Sequence, residues 1–343
     1  MIILNNDFFT TLFIYSVILS ITSYIIVNFS MPRFINFLIS KGMVVQDYHK
    51  PKKPDIPRPA GPIILLGISI SLLILYILTT KLEILAILLS SIIAFVVGYI
   101  DDKKVMPGWF KPVSLLTAAI PILLLGAHGT HLNLIFGDAF IPILYIPLVL
   151  IAIPIVGNTI NSIDVLNGIV SGFLLISIIP LMISVYIFGS SEVFLASVVL
   201  FFVTLALYKY HKFPSKIFPG DSGTLLLGAA YGSIAIAGQS ELVAIIALLP
   251  AIFNSFLFLS SVKRIVEHRE ISSRPTILLD DFKLAASKDK KAPTTLLRLL
   301  LADGPLSEKE LTKKIYKLAI FSACLSIISI FIQYYFVTLG GIK

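Results

Sequence analysis

The chain has 343 residues, 57% of them hydrophobic and 13% charged, with a formal net charge of +8. That apolar content excludes a soluble domain of this size, because runs of about 20 apolar residues are what a helix needs to cross a bilayer. The one cysteine, Cys324, excludes a disulfide framework and a cysteine metal site. The positive balance reports membrane topology before it reports nucleic acid, and no nucleic-acid partner is expected.

Ten apolar segments follow one another: 8–29, 60–80, 84–100, 112–127, 139–157, 168–188, 193–208, 222–237, 242–262 and 318–339. None contains Asp, Glu, Lys or Arg. In lipid only a helix satisfies its own backbone groups within one segment. The expected fold class is therefore all-α, a multi-pass membrane protein of ten transmembrane helices forming a single domain over 1–343. No Lys or Arg precedes Phe8, and the first segment is too long for a signal h-region, so it reads as a retained helix. Pro121, Pro142, Pro147, Pro154, Pro180 and Pro250 are expected to kink their helices.

Ten crossings sort the loops into two sets. One holds 30–59, 101–111, 158–167, 209–221 and 263–317; the other holds both termini and the short loops between. Of the 27 Lys and Arg, only Lys81 and Lys343 fall in the second set. The positive-inside rule makes the first set cytosolic and both termini external. Every polar stretch with chemical content lies in the cytosolic set, so an active site is expected on that face.

Asp101-Asp102 follow the third segment directly. A helix C-terminus carries the negative end of the macrodipole, so two anions there call for a cation against them; Lys111 in the next loop is one candidate, or a topology signal. In 158–167, Asn158, Asn161, Asp164 and Asn167 recur every third position. On a helix they would form a polar wall; the alternative is a set of capping residues. Asp221 follows Pro219-Gly220 and opens an apolar segment, as an N-cap would. His268-Arg269 lie in the long basic loop, where they could instead be solvated or touch anionic lipid. Carboxylates and amides are hard oxygen ligands of the kind Mg²⁺ takes together with phosphate oxygens, and nearby Lys and Arg hold phosphate. The set reads as phosphoryl-transfer machinery at a membrane surface. A secondary transporter is the rival, although such proteins bind near the bilayer midplane; a non-catalytic anchor docking partners on 263–317 is another. Residues 295–311 read as a short helical pair, with Ser307 as N-cap and Glu310 completing a capping box.

Together these motifs resemble the polyprenyl-phosphate N-acetylhexosamine-1-phosphate transferases. The carriers are the Asp-Asp pair after the third segment, Asn158-x-x-Asn161 after the fifth and Gly220-Asp221 before the eighth. Gln46-Asp47, Asn167-Gly168, Phe213-Pro214-Ser215 and His268-Arg269 are similar to the dolichol-type branch, which uses UDP-GlcNAc and dolichyl phosphate. Arg58 stands where that branch usually has an acidic residue, and Glu267 where it has a basic one. The resemblance implies Asn161 and Asp221 as ligands of Mg²⁺ (or Mn²⁺), and Asp101, Asp102 and Lys111 as the catalytic group. It further implies substrate contacts from Gln46, Asp47, Asn158, Asp164, Asn167, His268 and Arg269. It implies UDP-GlcNAc and a polyprenyl phosphate, dolichyl or undecaprenyl, as partners beside membrane lipid, and a homodimer as assembly. It places the chain in the cell membrane of an archaeon or the endoplasmic reticulum membrane of a eukaryote.

Overall fold

A computed structural model describes residues 6–50, 52–264 and 271–339. Thirteen helices are assigned among them. The first five are α1 (Asn6–Ser40), α2 (Gly61–Thr79), α3 (Leu82–Lys103), α4 (Phe110–Ser114) and α5 (Leu116–Leu124). The next four are α6 (Pro142–Ser162), α7 (Ile169–Phe188), α8 (Ser191–His211) and α9 (Gly220–Ala237). The last are α10 (Glu241–Ala247), α11 (Leu249–Val262), α12 (Leu296–Leu300) and α13 (Glu308–Leu339). Three two-stranded antiparallel hairpins decorate the loops: β1 (Val44–Gln46) with β2 (Asp55–Pro57), β3 (His131–Leu134) with β4 (Gly137–Phe140), and β5 (Thr276–Leu278) with β6 (Leu284–Ala286).

Each of the ten apolar segments is largely helical, but they are not ten equal spans. Seven helices among the described residues are long and apolar enough to cross a membrane, or eight if α10 and α11, which meet at a 71° bend, form one broken span. The segment 112–127 is the short pair α4–α5, with Leu115 capping one helix and opening the next. Helix α9 falls outside the seven for a different reason. Every residue from Gly220 to Ile236 is buried inside the protein, against α3, α6, α2 and α8. A helix enclosed by helices packs through small residues and does not need a lipid-facing apolar surface.

Among the prolines expected to kink their helices, Pro250 lies next to the 71° bend between α10 and α11. Pro121, Pro147, Pro154 and Pro180 lie inside helices, whereas Pro142 and Pro250 occupy first or second helical positions. There the missing N–H has no intrahelical partner to lose.

The helical pair at 295–311 is half right. Thr295 caps α12, its hydroxyl accepting from the Arg298 N–H at 3.2 Å. The second member is no separate helix: it is the start of the 32-residue α13, which runs on through the last apolar segment. The capping box is present. The Ser307 N–H and hydroxyl donate to Glu310 Oε2 at 2.8 and 2.7 Å, and the Glu310 N–H donates back to Ser307 Oγ at 3.3 Å. Ser307→Ala is therefore expected to cost about 1 kcal/mol, read as a small drop in thermal midpoint.

Candidate active site

The C-terminus of α3 meets the N-terminus of α9 at one polar corner. Asp102, on the last turn of α3, accepts from the backbone N–H groups of Asp221 and Ser222, both at 2.9 Å, and from the Ser222 hydroxyl at 2.6 Å. A carboxylate from one helix thus satisfies the free N–H groups at the start of another, where the macrodipole favours an anion. The approach has no spare room. A Cβ on Gly98 would lie 2.4 Å from the Asp221 carbonyl oxygen. One on Gly220, whose φ is +72°, would meet Pro59 at 2.4 Å and the Asp102 carboxylate at 2.8 Å.

Five charged side chains fill this corner. Lys111 Nζ lies 3.0 Å from Asp101 Oδ2 and 3.5 Å from Asp221 Oδ2. Arg58 Nη2 lies 3.1 Å from Asp102 Oδ1 and 3.2 Å from the same Asp221 oxygen. Asp101 also accepts from the Met106 N–H at 3.1 Å, which folds the loop after α3 back toward Lys111. The side chains of Asp101 and Asn161 also lie beside Asp221. The Asn161 carbonyl oxygen accepts from Thr224 Oγ1 at 2.7 Å. The donor types around Asp221 are carboxylate and amide oxygens, which suit a hard divalent cation.

The polar wall of 158–167 is not one helix face. Helix α6 stops at Ser162, and Gly168 opens α7 with a left-handed φ of +79°, so only Asn158 and Asn161 lie on α6. Asn158 turns back to donate to the Pro154 carbonyl at 2.8 Å. Asp164, in the connecting loop, lies 3.6 Å from His211 Nε2. Burial pushes its carboxyl up to about 7; Arg58 opposes this, while Asp221 and Asp102 add to it. A carboxyl whose pKa is raised on folding contributes stability below its unfolded value near 3.8, and that contribution is lost as pH rises toward 7. The thermal midpoint of the native chain should fall across this window more steeply than that of Asp164→Asn, compared by pH-resolved thermal denaturation.

Asn167 belongs to a second cluster. Its side-chain amide donates to Asp47 Oδ2 at 3.0 Å and to Glu308 Oε1 at 2.7 Å, and its backbone N–H donates to the same Glu308 oxygen at 2.7 Å. Its carbonyl oxygen accepts from Lys50 Nζ at 2.8 Å and from the Ser215 N–H at 2.7 Å. Lys50 also pairs with Asp47 and stands 3.5 Å from Glu308 Oε2. Burial would raise the Asp47 carboxyl, but Lys50 and Asn167 hold it below the usual carboxylate range. Asp47, His49 and Glu308 bring three metal-ligating atoms within 4.8 Å. The Lys50 ammonium already provides positive charge there, so the group is an ion-pair network.

Of the residues singled out from the sequence, Asp101, Asp102, Lys111, Asn161 and Asp221 meet at the first corner, and Asp47 with Asn167 at the second. Gln46 is exposed on β1 opposite Asp55. His268 and Arg269 lie outside the described residues. Two central residues were not among the candidates. Arg58 had been noted only for its unusual charge, and its place between two prolines in the loop before α2 was the available signal. Glu308 sits beside the capping box, which explained the local acidity without requiring a distant partner.

The family described as "Glycosyl transferase family 4" matches residues 84–239, from α3 to the end of α9. The match places this segment in glycosyl transferase family 4. It contains Asp101, Asp102, Lys111, Asn161, Asp164, Asn167 and Asp221, and leaves Asp47, Arg58 and Glu308 outside. Relatives extend over more of the chain. "Putative glycosyltransferase MJ1113" of Methanocaldococcus jannaschii is 26% identical, covering 94% of this chain and 98% of its own length. A protein of Sulfolobus acidocaldarius named "Putative UDP-N-acetylglucosamine--dolichyl-phosphate N-acetylglucosaminephosphotransferase" is 24% identical over 90% of this chain and 94% of its own. The phospho-N-acetylmuramoyl-pentapeptide-transferase of Chlorobaculum tepidum is 26% identical over 69% of this chain and 73% of its own. The resemblance read from the motifs is thus matched by archaeal and bacterial relatives. Seven long apolar helices together with this likeness point to a multi-pass membrane protein.

Proposed function

We propose that this protein transfers N-acetylglucosamine 1-phosphate from UDP-GlcNAc to a polyprenyl phosphate of dolichyl type, releasing UMP at the cytosolic face. The reading takes the chain as crossing the membrane ten times with both termini outside, as a homodimer. One observation carries it: Asp221 Oδ2 gathers both Lys111 and Arg58 while Asp101, Asp102 and Asn161 stand around it. Cations focused on one carboxylate beside hard oxygen ligands are what a diphosphate with its counter-ion requires. The name of the Sulfolobus relative supports the substrate pair.

Mg²⁺, or Mn²⁺ in its place, would be held by Asp221 and Asn161, and when bound would neutralise diphosphate charge. The chain's own residues do the rest. Lys111, aimed by Asp101, holds the diphosphate. Asp102 fixes the position of Asp221 through its backbone. Asp47 and Asn167 shape the nucleotide end together with Gln46, and His268 and Arg269 contact the diphosphate and sugar. An oxygen of the lipid phosphate attacks the sugar-linked phosphorus; a new P–O bond forms, the diphosphate bridge to UMP breaks, and UMP departs with that electron pair. A phosphate monoester is largely ionised near neutral pH, so no side chain need remove a proton.

The test is incubation of purified protein with labelled UDP-GlcNAc, a short polyprenyl phosphate and Mg²⁺. UMP release with label entering the organic phase is expected. Absence of both overturns the reading. Turnover only with a UDP-N-acetylmuramoyl-pentapeptide donor moves the substrate to the bacterial type.

A further inference from the structure

Arg58 has no assigned role, yet it occupies the centre of the first corner. Its guanidinium bridges Asp102 Oδ1 at 3.1 Å and Asp221 Oδ2 at 3.2 Å, with its side chain a quarter exposed. The two carboxylates are held very differently. Asp102 is fixed by two backbone N–H groups and a hydroxyl. Asp221 is engaged through side chains: Lys111, Arg58, Asp101 and Asn161.

We propose that Arg58 is the resident counter-ion of Asp221, that a divalent cation displaces it from that carboxylate, and that the displaced guanidinium, still anchored on Asp102, then grips the diphosphate of the nucleotide-sugar. The inference rests on the assignment of Asp221 as a metal ligand. A divalent ion of the Mg²⁺ kind sits about 2.1 Å from its ligand oxygen. Arg58 and Lys111 already lie at 3.2 and 3.5 Å from the same Asp221 oxygen. Three cations crowded on one oxygen repel one another, and the guanidinium has a second anchor to fall back on. A guanidinium offers five N–H donors in a planar fork matched to phosphate oxygens. The ion pairs with Asp102 and Asp221 both run through Nη2, so a guanidinium retained on Asp102 can turn its other donors toward an anion. An arginine here therefore delays metal entry when no substrate is present and adds a phosphate contact when it is.

The experiment measures Mn²⁺ binding to the purified, substrate-free protein by electron paramagnetic resonance, then UDP binding in saturating Mn²⁺. The variants are Arg58→Ala and Arg58→Gln; the glutamine keeps a donor for Asp102 while removing the charge, so the measurement survives if the alanine variant does not fold. Asp221→Asn is the control. Both Arg58 variants should bind Mn²⁺ at least about fivefold more tightly, the lower end of ordinary coupling between sites, and bind UDP more weakly. A merely structural role would not tighten the metal. Unchanged or weaker Mn²⁺ binding by the Arg58 variants, alongside native binding that Asp221→Asn abolishes, overturns the inference and leaves the metal assignment standing. Mn²⁺ binding that Asp221→Asn does not affect overturns both.

Discussion

Asp221→Ala is expected to lower UMP release by at least about 10³-fold, the scale on which charge-stabilising groups act in phosphoryl transfer, while the protein stays folded. The two halves of this expectation come from different atoms of one residue. The Asp221 side chain is where Lys111 and Arg58 converge, at 3.5 and 3.2 Å. Without it those cations lose their common focus, and a divalent ion loses its carboxylate. The start of α9, by contrast, is held through the backbone N–H of Asp221 on Asp102, a bond that alanine keeps. Lys111 and Arg58 each retain another carboxylate, Asp101 and Asp102. A thermal midpoint near that of the native protein, with turnover gone, is the expected pair of measurements. Near-native turnover would remove Asp221 from the chemistry.

Asp102→Ala should behave in the opposite way, failing first in stability. Its carboxylate makes three hydrogen bonds to the first residues of α9 and an ion pair with Arg58 at 3.1 Å. Alanine strands two backbone donors and a hydroxyl, and deprives Arg58 of its better-held partner. Removing one member of a buried charge pair costs about 3–5 kcal/mol; the partial exposure of Arg58 argues for the lower end. Asp102→Asn keeps one acceptor oxygen and should lose less. The check is the order of thermal midpoints, native above asparagine above alanine. An alanine variant melting with the native protein would show that the clasp contributes nothing.

Much of this was legible in the sequence because it is local or periodic. The apolar segments declare themselves by length, and the loops by their lysines. Asp101-Asp102 stand out because two acids should not end a helix unaided, and the cations that answer them, Lys111 and Arg58, are in place. What escaped is non-local. Arg58 meets Asp221 across 163 positions, and Lys50 meets Glu308 across 258; no spacing rule connects residues so far apart. The three-residue repeat from Asn158 to Asn167 misled because its period suits a helix, yet the backbone leaves the helix after Ser162 and sends Asp164 and Asn167 to different clusters. Helix α9 was counted among the ten apolar segments because the stretch 222–237 is free of charge, whereas the full helix from Gly220 is too polar to be one of the seven long apolar spans.

The clasp of Asp102 on the first turn of α9 has a mechanical consequence. Bilayers of different thickness tilt and shift the helices they hold. Here the acid pair rides on the helix that grips the neighbouring acid's backbone, so such tilting carries Asp101, Asp102 and Asp221 together as one rigid block. Arg58 travels with that block as well, because its segment is bound to Phe218 and Pro219, just before α9, by backbone hydrogen bonds, while Lys111 reaches it from the short α4. Reconstitution in short- and long-chain lipids should therefore leave the spacing of the three carboxylates unchanged.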